Sequence, residues 1–185
     1  NRGFASIPLG LLAVAAILRK HDIDTKIVDL CLENSDKLLR ECVGIKPDLI
    51  GFGGIATSFG STKEIATRLR QDCPDAVYIA GGPLSSTHEL LLEDNVVDYV
   101  FHGEVEYSLP KFIRFLQTGD GFCNIGGISF LKNKLNGVAD EGSITWFKQN
   151  AQIGRTISEP TVTDLDTRGF PDYNLIDLEK YVLSL

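Results

Sequence analysis

Short apolar runs alternate with longer segments of helical periodicity, and this alternation restricts the possible folds more than any other feature of the sequence. Each run is rich in apolar or β-branched residues and stops at glycine or an acidic residue, as buried parallel strands do. The predicted strands are 25–29, 48–54, 76–81 and 98–102. Strands joined to helices through short loops form right-handed crossovers. The pattern therefore predicts a doubly wound parallel α/β sheet.

Helix signals fall between these runs. The first helix is expected to start near Pro8, and both 61–64 and 86–89 have the S-x-x-E form of a capping box. Pro74 lies where the third predicted helix should end, and Pro110 lies where the first turn of the fifth is expected. Two helices are thus expected to start where two strands stop.

The beginning of the chain departs from this plan. A doubly wound domain normally opens with a central strand, but residues 1–7 contain no apolar run. The sequence also has no Met, so we expect it to be a piece of a longer protein. The opening strand is then either upstream or missing. If it is missing, runs 25–29 and 48–54 must pair directly or borrow a strand.

After Gly119 the pattern changes. Apolar and polar residues alternate on both sides of Asn136-Gly137, which predicts a β-hairpin. From about residue 149 the periodicity is lost. The predicted organisation is an α/β domain over 1–125, a β-hairpin appendage over 126–148 and a linker over 149–185 that leads to a further domain.

Composition excludes several classes of function. The net charge of -7 argues against a nucleic-acid partner, which would require clustered Lys and Arg. The most apolar stretch, 8–18, is too short to span a bilayer, so no membrane segment is expected. The four cysteines are scattered without metal-ligand spacing, so we expect no metal site and reduced thiols in a cytoplasmic protein.

Glycine-rich segments follow three of the predicted strands: "GFGGIATS" (51–58), "AGGPLSS" (80–86) and "HGEVE" (102–106). In a doubly wound sheet they share the carboxyl edge, where ligands bind. Glycine pairs at strand ends also serve helix packing or tight turns, and "GFGGIA" is only a poor imitation of a nicotinamide-binding loop. Among the histidines, His102 is expected to be a hydrogen-bonded loop residue, and His88 is expected to be solvated.

The order and spacing of five segments resemble those of the N-terminal cobalamin-binding domain of cobalamin-dependent radical SAM proteins. They are "SIPLGLLAVAAILRKHDIDTKIVDL", "KPDLIGFGGIATSF", "DAVYIAGGPLSS", "VVDYVFHGEVEYSLPKFI" and "DLDTRGFPDYNLIDLEKY". The resemblance implies a flavodoxin-like (Rossmann-like) sheet that holds cobalamin at its carboxyl edge. It also implies a radical SAM domain downstream in the same chain, with a 4Fe-4S cluster and S-adenosylmethionine, for methyl transfer or a radical rearrangement. The present residues alone would be catalytically silent.

The same resemblance implies a set of cofactor-binding residues in the three glycine-rich segments. They are Gly53, Gly54, Thr57 and Ser58 after the second predicted strand, Gly81, Gly82 and Pro83 after the third, and Gly103, Glu104 and Glu106 after the fourth. Glycine lets a large ring and its nucleotide tail approach the backbone. A cobalt-ligating D-x-H-x-x-G loop is absent, because "SIPLGL" stands in its place. An open edge at Gly82 is the decisive structural requirement.

Two other classes of function remain open at this point. A flavodoxin-like regulatory or protein-interaction domain could keep the fold and lose the cofactor. A small oxidoreductase domain using flavin or nicotinamide is favoured only by analogy of fold.

Overall fold

The computed structural model describes residues 6–32, 35–135, 144–147, 152–159 and 170–182. The chain forms two compact units, one made of residues 48–163 and one made of residues 1–47 together with 164–185. In chain order, the helices are α1 (Leu9–Lys20), α2 (Ser35–Ile45), α3 (Phe59–Asp72), α4 (His88–Glu93), α5 (Ser108–Thr118) and α6 (Leu178–Val182). The strands are β1 (Leu49–Gly53), β2 (Val77–Gly81), β3 (Tyr99–Phe101), β4 (Ile128–Leu131), β5 (Ile144–Phe147) and β6 (Ile153–Thr156).

The 48–163 unit is built on one six-stranded sheet with the order β1-β2-β3-β4-β6-β5. Strands β1, β2 and β3 are parallel neighbours, as the apolar runs predicted. Helix α3 connects β1 to β2, and α4 connects β2 to β3, so the unit has the alternating α/β order expected for this fold class. Strands β4, β5 and β6 extend the same sheet in antiparallel fashion.

Two strand predictions were wrong. Residues 25–29 form no strand, since they take part in no ladder of the described sheet, in which β1 is an edge strand. The predicted hairpin is also incorrect: β4 and β5 lie on either side of 136–137 but do not pair with each other. Strand β6, in a region read as linker, lies between them and pairs with both. The Asn136-Gly137 turn itself lies outside the described residues.

The two capping boxes do not form. A 3-10 turn over Ala56–Ser58 runs directly into α3, so the helix begins at Phe59, two residues before the predicted cap. The Ser61 hydroxyl instead donates back to the Ser58 carbonyl at 2.9 Å. A longer 3-10 segment, Gly82–Thr87, likewise precedes α4 and moves its start to His88. In both places, the preceding turn replaces the side-chain cap.

An aromatic core lies on one face of the sheet. The ring of Phe112, on α5, is 4.8 Å from that of Tyr99 and 5.3 Å from that of Phe101. Phe122 continues the cluster to Phe130 on β4, with 5.0 Å between ring centroids. Burial of such rings contributes most of the apolar stabilisation of a small domain. The cluster therefore joins the parallel strands to the antiparallel extension.

A buried carboxylate fixes the amino end of β3. Asp98 is 6% exposed and accepts hydrogen bonds from the Tyr78 backbone N–H (2.7 Å), Arg70 Nη2 (3.2 Å) and Lys134 Nζ (2.7 Å). The Arg70 guanidinium also lies 4.0 Å from the centre of the Tyr78 ring. A buried charge is tolerated when it is paired and hydrogen-bonded in this way. The carboxylate holds β2 and β3 in register at the end opposite to the glycine-rich loops.

The second unit has its own contacts. Along α1, the buried side chains Leu12, Ala15 and Leu18 recur at helical spacing. The Tyr181 hydroxyl donates to Asp29 at 2.7 Å, and burial together with this carboxylate raises the pKa of Tyr181. None of the helices in the described part of the chain has the length and apolar character needed to span a bilayer.

Candidate functional site

The candidate site is the carboxyl edge of the three parallel strands. Gly53 and Gly81 end β1 and β2 and are directly paired across the two strands. Residues 82–87, after β2, contact the 56–58 turn after β1 and also contact β3. The three predicted glycine-rich segments therefore follow neighbouring strand ends, as the sequence indicated.

The loop after β1 combines two glycines with small polar side chains and one exposed isoleucine, Ile55. Gly53 and Thr57 are exposed, and Gly54 and Ser58 are half-buried. A Cβ atom at Gly54 would lie 3.4 Å from Cβ and Oγ of Ser58, so the glycine lets the chain fold closely over that side chain. The Ser58 N–H donates to the Ile55 carbonyl at 2.9 Å. The loop is thus a tight 3-10 turn whose outer surface carries backbone, the Thr57 side chain and the Ile55 side chain, which is 60% exposed.

The loop after β2 is anchored in the core by one buried side chain and exposes glycine backbone to solvent. Leu84 is fully buried and fixes the segment to the core. The hydroxyls of Ser86 and Thr87 donate to the carbonyls of Pro83 (2.9 Å) and Leu84 (2.8 Å), which holds the 3-10 conformation. Gly82 is exposed, has a φ of +64°, and a Cβ atom there would meet nothing within 4 Å. The backbone at Gly82 is therefore accessible to a ligand.

The loop after β3 has the same character. Gly103 is exposed, has a φ of +72°, and also has open space at its Cβ position. Glu104 and Glu106 follow it, and both side chains are half-buried. The Ser108 hydroxyl and the Leu109 N–H bond to the Val105 carbonyl at 3.4 and 2.8 Å and join this loop to the start of α5. Two bare positions with left-handed backbone thus flank the end of the sheet.

A polar cluster beside these loops was not predicted. The Arg155 Nε–H donates to Ser129 Oγ at 2.9 Å, and Arg155 Nη2 is 3.2 Å from His88 Nε2. Ser129 Oγ is also 2.9 Å from His102 Nε2, and the two imidazole rings are 5.0 Å apart. We call these four residues, His88, His102, Ser129 and Arg155, the histidine–arginine cluster. His102 is therefore a hydrogen-bonded residue, as expected, but His88 is not simply solvated.

Electrostatics keep both imidazoles of the cluster neutral. Burial, then the Arg155 guanidinium and His88, lower the pKa of His102 to about 4. Burial and Arg155 also lower the pKa of His88, while Glu89 and a hydrogen bond with the Ser85 backbone act in the opposite direction. Neutral imidazole is the form that accepts a hydrogen bond from a guanidinium, which has only donors. His88 Nε2, which faces the guanidinium, is thus an acceptor at neutral pH.

These features define a class of domain. An open α/β sheet with glycine-containing loops at the carboxyl ends of three neighbouring strands is typical of a ligand-binding domain. The open Cβ positions at Gly82 and Gly103 suit a ligand that approaches the backbone closely. Within the described ranges, no three His, Cys, Asp or Glu side chains are grouped as metal ligands would be.

Comparison with known proteins gives the family. The model of the B12 binding domain matches residues 1–113, and the chain belongs to this family. The resemblance found in the sequence is therefore confirmed. A relative in Synechocystis sp., the anaerobic magnesium-protoporphyrin IX monomethyl ester cyclase, is 27% identical over 180 residues, which cover 94% of this chain and 32% of the cyclase. The chain spans between 24% and 36% of the length of the curated relatives it matches.

Solved structures show the same fold. The cobalamin-dependent S-adenosylmethionine radical enzyme OxsB, with aqua-cobalamin and S-adenosylmethionine bound, matches with a TM-score of 0.64 and 15% identity over 84% of this chain and 20% of its own. The radical S-adenosylmethionine methyltransferase TsrM from Kitasatospora setae, with cobalamin and a [4Fe-4S] cluster bound, matches with a TM-score of 0.63 and 21% identity over 72% of this chain and 28% of its own. The flavodoxin-like (Rossmann-like) α/β class is confirmed, with an antiparallel extension.

Proposed function

We propose that this chain binds cobalamin at the carboxyl edge of β1, β2 and β3 and presents it to a radical SAM domain of the same protein. The observation that carries the proposal is the open, side-chain-free surface at Gly82, where the backbone has a φ of +64° and a Cβ atom would meet nothing within 4 Å. A corrin ring with its nucleotide tail is large and flat, and it can reach backbone amides only where side chains do not intervene.

The binding residues are those of the three loops. Gly81, Gly82 and Pro83 take the nucleotide tail, and Gly53, Gly54, Thr57 and Ser58 line the neighbouring strand end. Gly103, Glu104 and Glu106 face the amide side chains of the corrin, for which carboxylates and backbone amides are suitable partners. These assignments rest on the position of the loops at neighbouring strand ends and on the bare backbone of the glycines.

Cobalamin supplies a cobalt centre for methyl transfer or one-electron chemistry. The residues of this chain bind and orient the cofactor. The stretch "SIPLGL" contains no histidine and therefore supplies no imidazole ligand for cobalt. We infer that a 4Fe-4S cluster and S-adenosylmethionine belong to the radical SAM domain, as in the matched structures. Methyl transfer is favoured by the curated relatives named as methyltransferase or methylase. A cytoplasmic location also stays a prediction.

Titration of the purified protein with hydroxocobalamin, followed by calorimetry and by the visible spectrum, tests the proposal. We expect saturable heat with a shift of the corrin bands, and parallel titrations with FMN and NADH serve as controls. Absence of heat and of spectral change at about 100 μM, equivalent to about 5.5 kcal/mol of binding free energy, would contradict the proposal. Binding of neither cobalamin nor the control cofactors would favour the regulatory or protein-interaction alternative, and binding of FMN or NADH would favour the oxidoreductase.

A further inference from the structure

The histidine–arginine cluster connects segments that are far apart in the sequence. His88 is the first residue of α4, directly after the Gly82–Thr87 segment, and His102 directly precedes Gly103. Ser129 and Arg155 lie on β4 and β6 and are paired with each other in the antiparallel extension. The cluster therefore joins two of the three cofactor loops to strands that contribute no predicted cofactor contact.

Arg155 is the centre of this network. Its Nε and Nη2 groups point to two different acceptors, Ser129 Oγ at 2.9 Å and His88 Nε2 at 3.2 Å. Because a guanidinium only donates, His88 Nε2 must accept, and the ring is then neutral with its proton on Nδ1. Among the described residues, no carboxylate lies within ion-pair distance of Arg155. The cation is held by hydrogen bonds and by the Phe147 ring, whose centre is 5.4 Å away.

The other branch of the network leads to the loop after β3. Ser129 is fully buried, and its oxygen lies between Arg155 Nε and His102 Nε2. The His102 backbone N–H also donates to the Gly127 carbonyl at 2.8 Å. The main chain and the side chain of His102 thus both fix the start of the Gly103–Glu106 loop. Both branches meet at one guanidinium.

We propose that Arg155 is a positioning residue that holds the 82–87 segment and the 103–106 loop in a fixed arrangement for cobalamin. It acts through His88 on one loop and through Ser129 and His102 on the other. The antiparallel extension thereby acquires a role in cofactor binding, although it does not contact the cofactor. This inference rests on the proposed function and concerns the same site.

The arrangement has a pH dependence that a purely structural arginine would lack. The groups that face His102 are Arg155 and His88, and those that face His88 are Arg155 and Glu89. Two of these interactions place an imidazole beside a guanidinium, so protonation creates adjacent like charges and removes the acceptor of Arg155. We expect the cluster to open on acidification and the two loops to lose their fixed arrangement.

The test compares four variants. Arg155→Met removes both donors, and Arg155→Lys keeps the charge but has one nitrogen, which cannot reach both acceptors. His88→Gln keeps an acceptor for Arg155 but cannot titrate. Lys111→Met is the control, since it removes another contact of the same unit, the 2.8 Å pair with Glu159, outside the cluster.

Hydrogen exchange of the cofactor-free protein gives the first readout. We expect exchange of the amides in 82–87 and 103–107 to be about tenfold faster in Arg155→Met, the scale of losing a hydrogen bond from a charged group. Arg155→Lys should resemble Arg155→Met, and Lys111→Met should leave both segments at the wild-type rate. Equal exchange in Arg155→Met and Lys111→Met would overturn the inference.

Cobalamin affinity as a function of pH gives the second readout. Arg155→Met should bind hydroxocobalamin about tenfold more weakly near neutral pH. In His88→Gln, the affinity should fall less between neutral pH and about pH 5 than it does in the wild type. Wild-type affinity in Arg155→Met would overturn the inference and leave the proposed function intact. If the wild type binds no cobalamin, the proposed function fails, and the exchange rates alone decide whether Arg155 holds the two loops.

Discussion

Replacing Gly82 with alanine separates the conformational need for glycine from the need for space around it. The φ of +64° costs an L-residue about 1–2 kcal/mol, and the smaller entropy of the unfolded alanine chain returns about 0.4–1 kcal/mol. No steric term is added, because a Cβ atom at this position meets nothing within 4 Å. We expect Gly82→Ala to lower the free energy of unfolding by about 1 kcal/mol.

Gly119 provides a matched control. It follows the last residue of α5 with a φ of +79°, and a Cβ atom there also meets nothing within 4 Å. Gly119→Ala should therefore lose the same stability of about 1 kcal/mol by the same arithmetic. Gly119 is at the end of a helix rather than at the carboxyl edge of β1, β2 and β3. The comparison therefore isolates the effect of a methyl group on the proposed cofactor surface.

Urea unfolding followed by the fluorescence of Trp146, the single tryptophan, measures the stability of the unit that contains both glycines. Hydroxocobalamin titration measures the effect on cofactor affinity. Gly82→Ala should weaken binding at least about tenfold, or about 1.4 kcal/mol, whereas Gly119→Ala should leave the affinity unchanged. A Gly82→Ala variant as stable as the wild type would refute the strain argument. Equal affinity of the two variants would refute the assignment of the open surface to the cofactor.

Three further substitutions test other parts of the structure. Asp98→Asn should cost about 2–3 kcal/mol in urea unfolding because it leaves two cations without their buried carboxylate, whereas Lys63→Met, which removes an exposed pair, should cost less than about 1 kcal/mol. The stability of the wild type should rise between about pH 4 and 6.5, because the native His102 imidazole, with its pKa lowered to about 4, binds fewer protons there than the imidazole of the unfolded chain. His102→Gln should make this rise less steep. An unchanged slope would contradict the argument. Gly154→Ala should lower the free energy of unfolding by about 1–3 kcal/mol and alter the near-UV circular dichroism, since the added Cβ atom would lie 2.9 Å from the side chains of Ile144 and Trp146. Wild-type stability of this variant would show that the packing relaxes freely.

The parallel part of the fold could be predicted from sequence because its signals are local. The runs that became β1, β2 and β3 are apolar, short and followed by glycine or a polar residue, and each is separated from the next by a helix. Strand β6 has no such signal, because Ile153–Thr156 reads Ile-Gly-Arg-Thr and contains a single large apolar residue. It is a strand because β4 and β5 each offer it a ladder partner. That condition depends on tertiary structure and cannot be read from four residues.

The candidate site divides in the same way. Its glycines were predictable, since adjacent glycines at a strand end imply bare backbone, and open space was found at Gly82. The histidine–arginine cluster could not be predicted, because Arg155 is separated in sequence by 67 residues from His88 and by 26 from Ser129. The S-x-x-E patterns show the converse, since they are local and were still misleading where a 3-10 turn entered the helix first.

The two ends of β3 are held by different chemistry, and this difference bears on how the site can work. At the amino end, Asp98 is buried and paired with two cations, so moving the strand there would expose an unpaired buried charge. At the carboxyl end, the cluster is a chain of hydrogen bonds from one cation to neutral acceptors, and breaking one of these bonds costs less than removing one partner of a buried ion pair. Release of the two loops therefore costs less than a shift of strand register. We expect a substitution at Arg155 to free the loops while Asp98 keeps β2 and β3 in register.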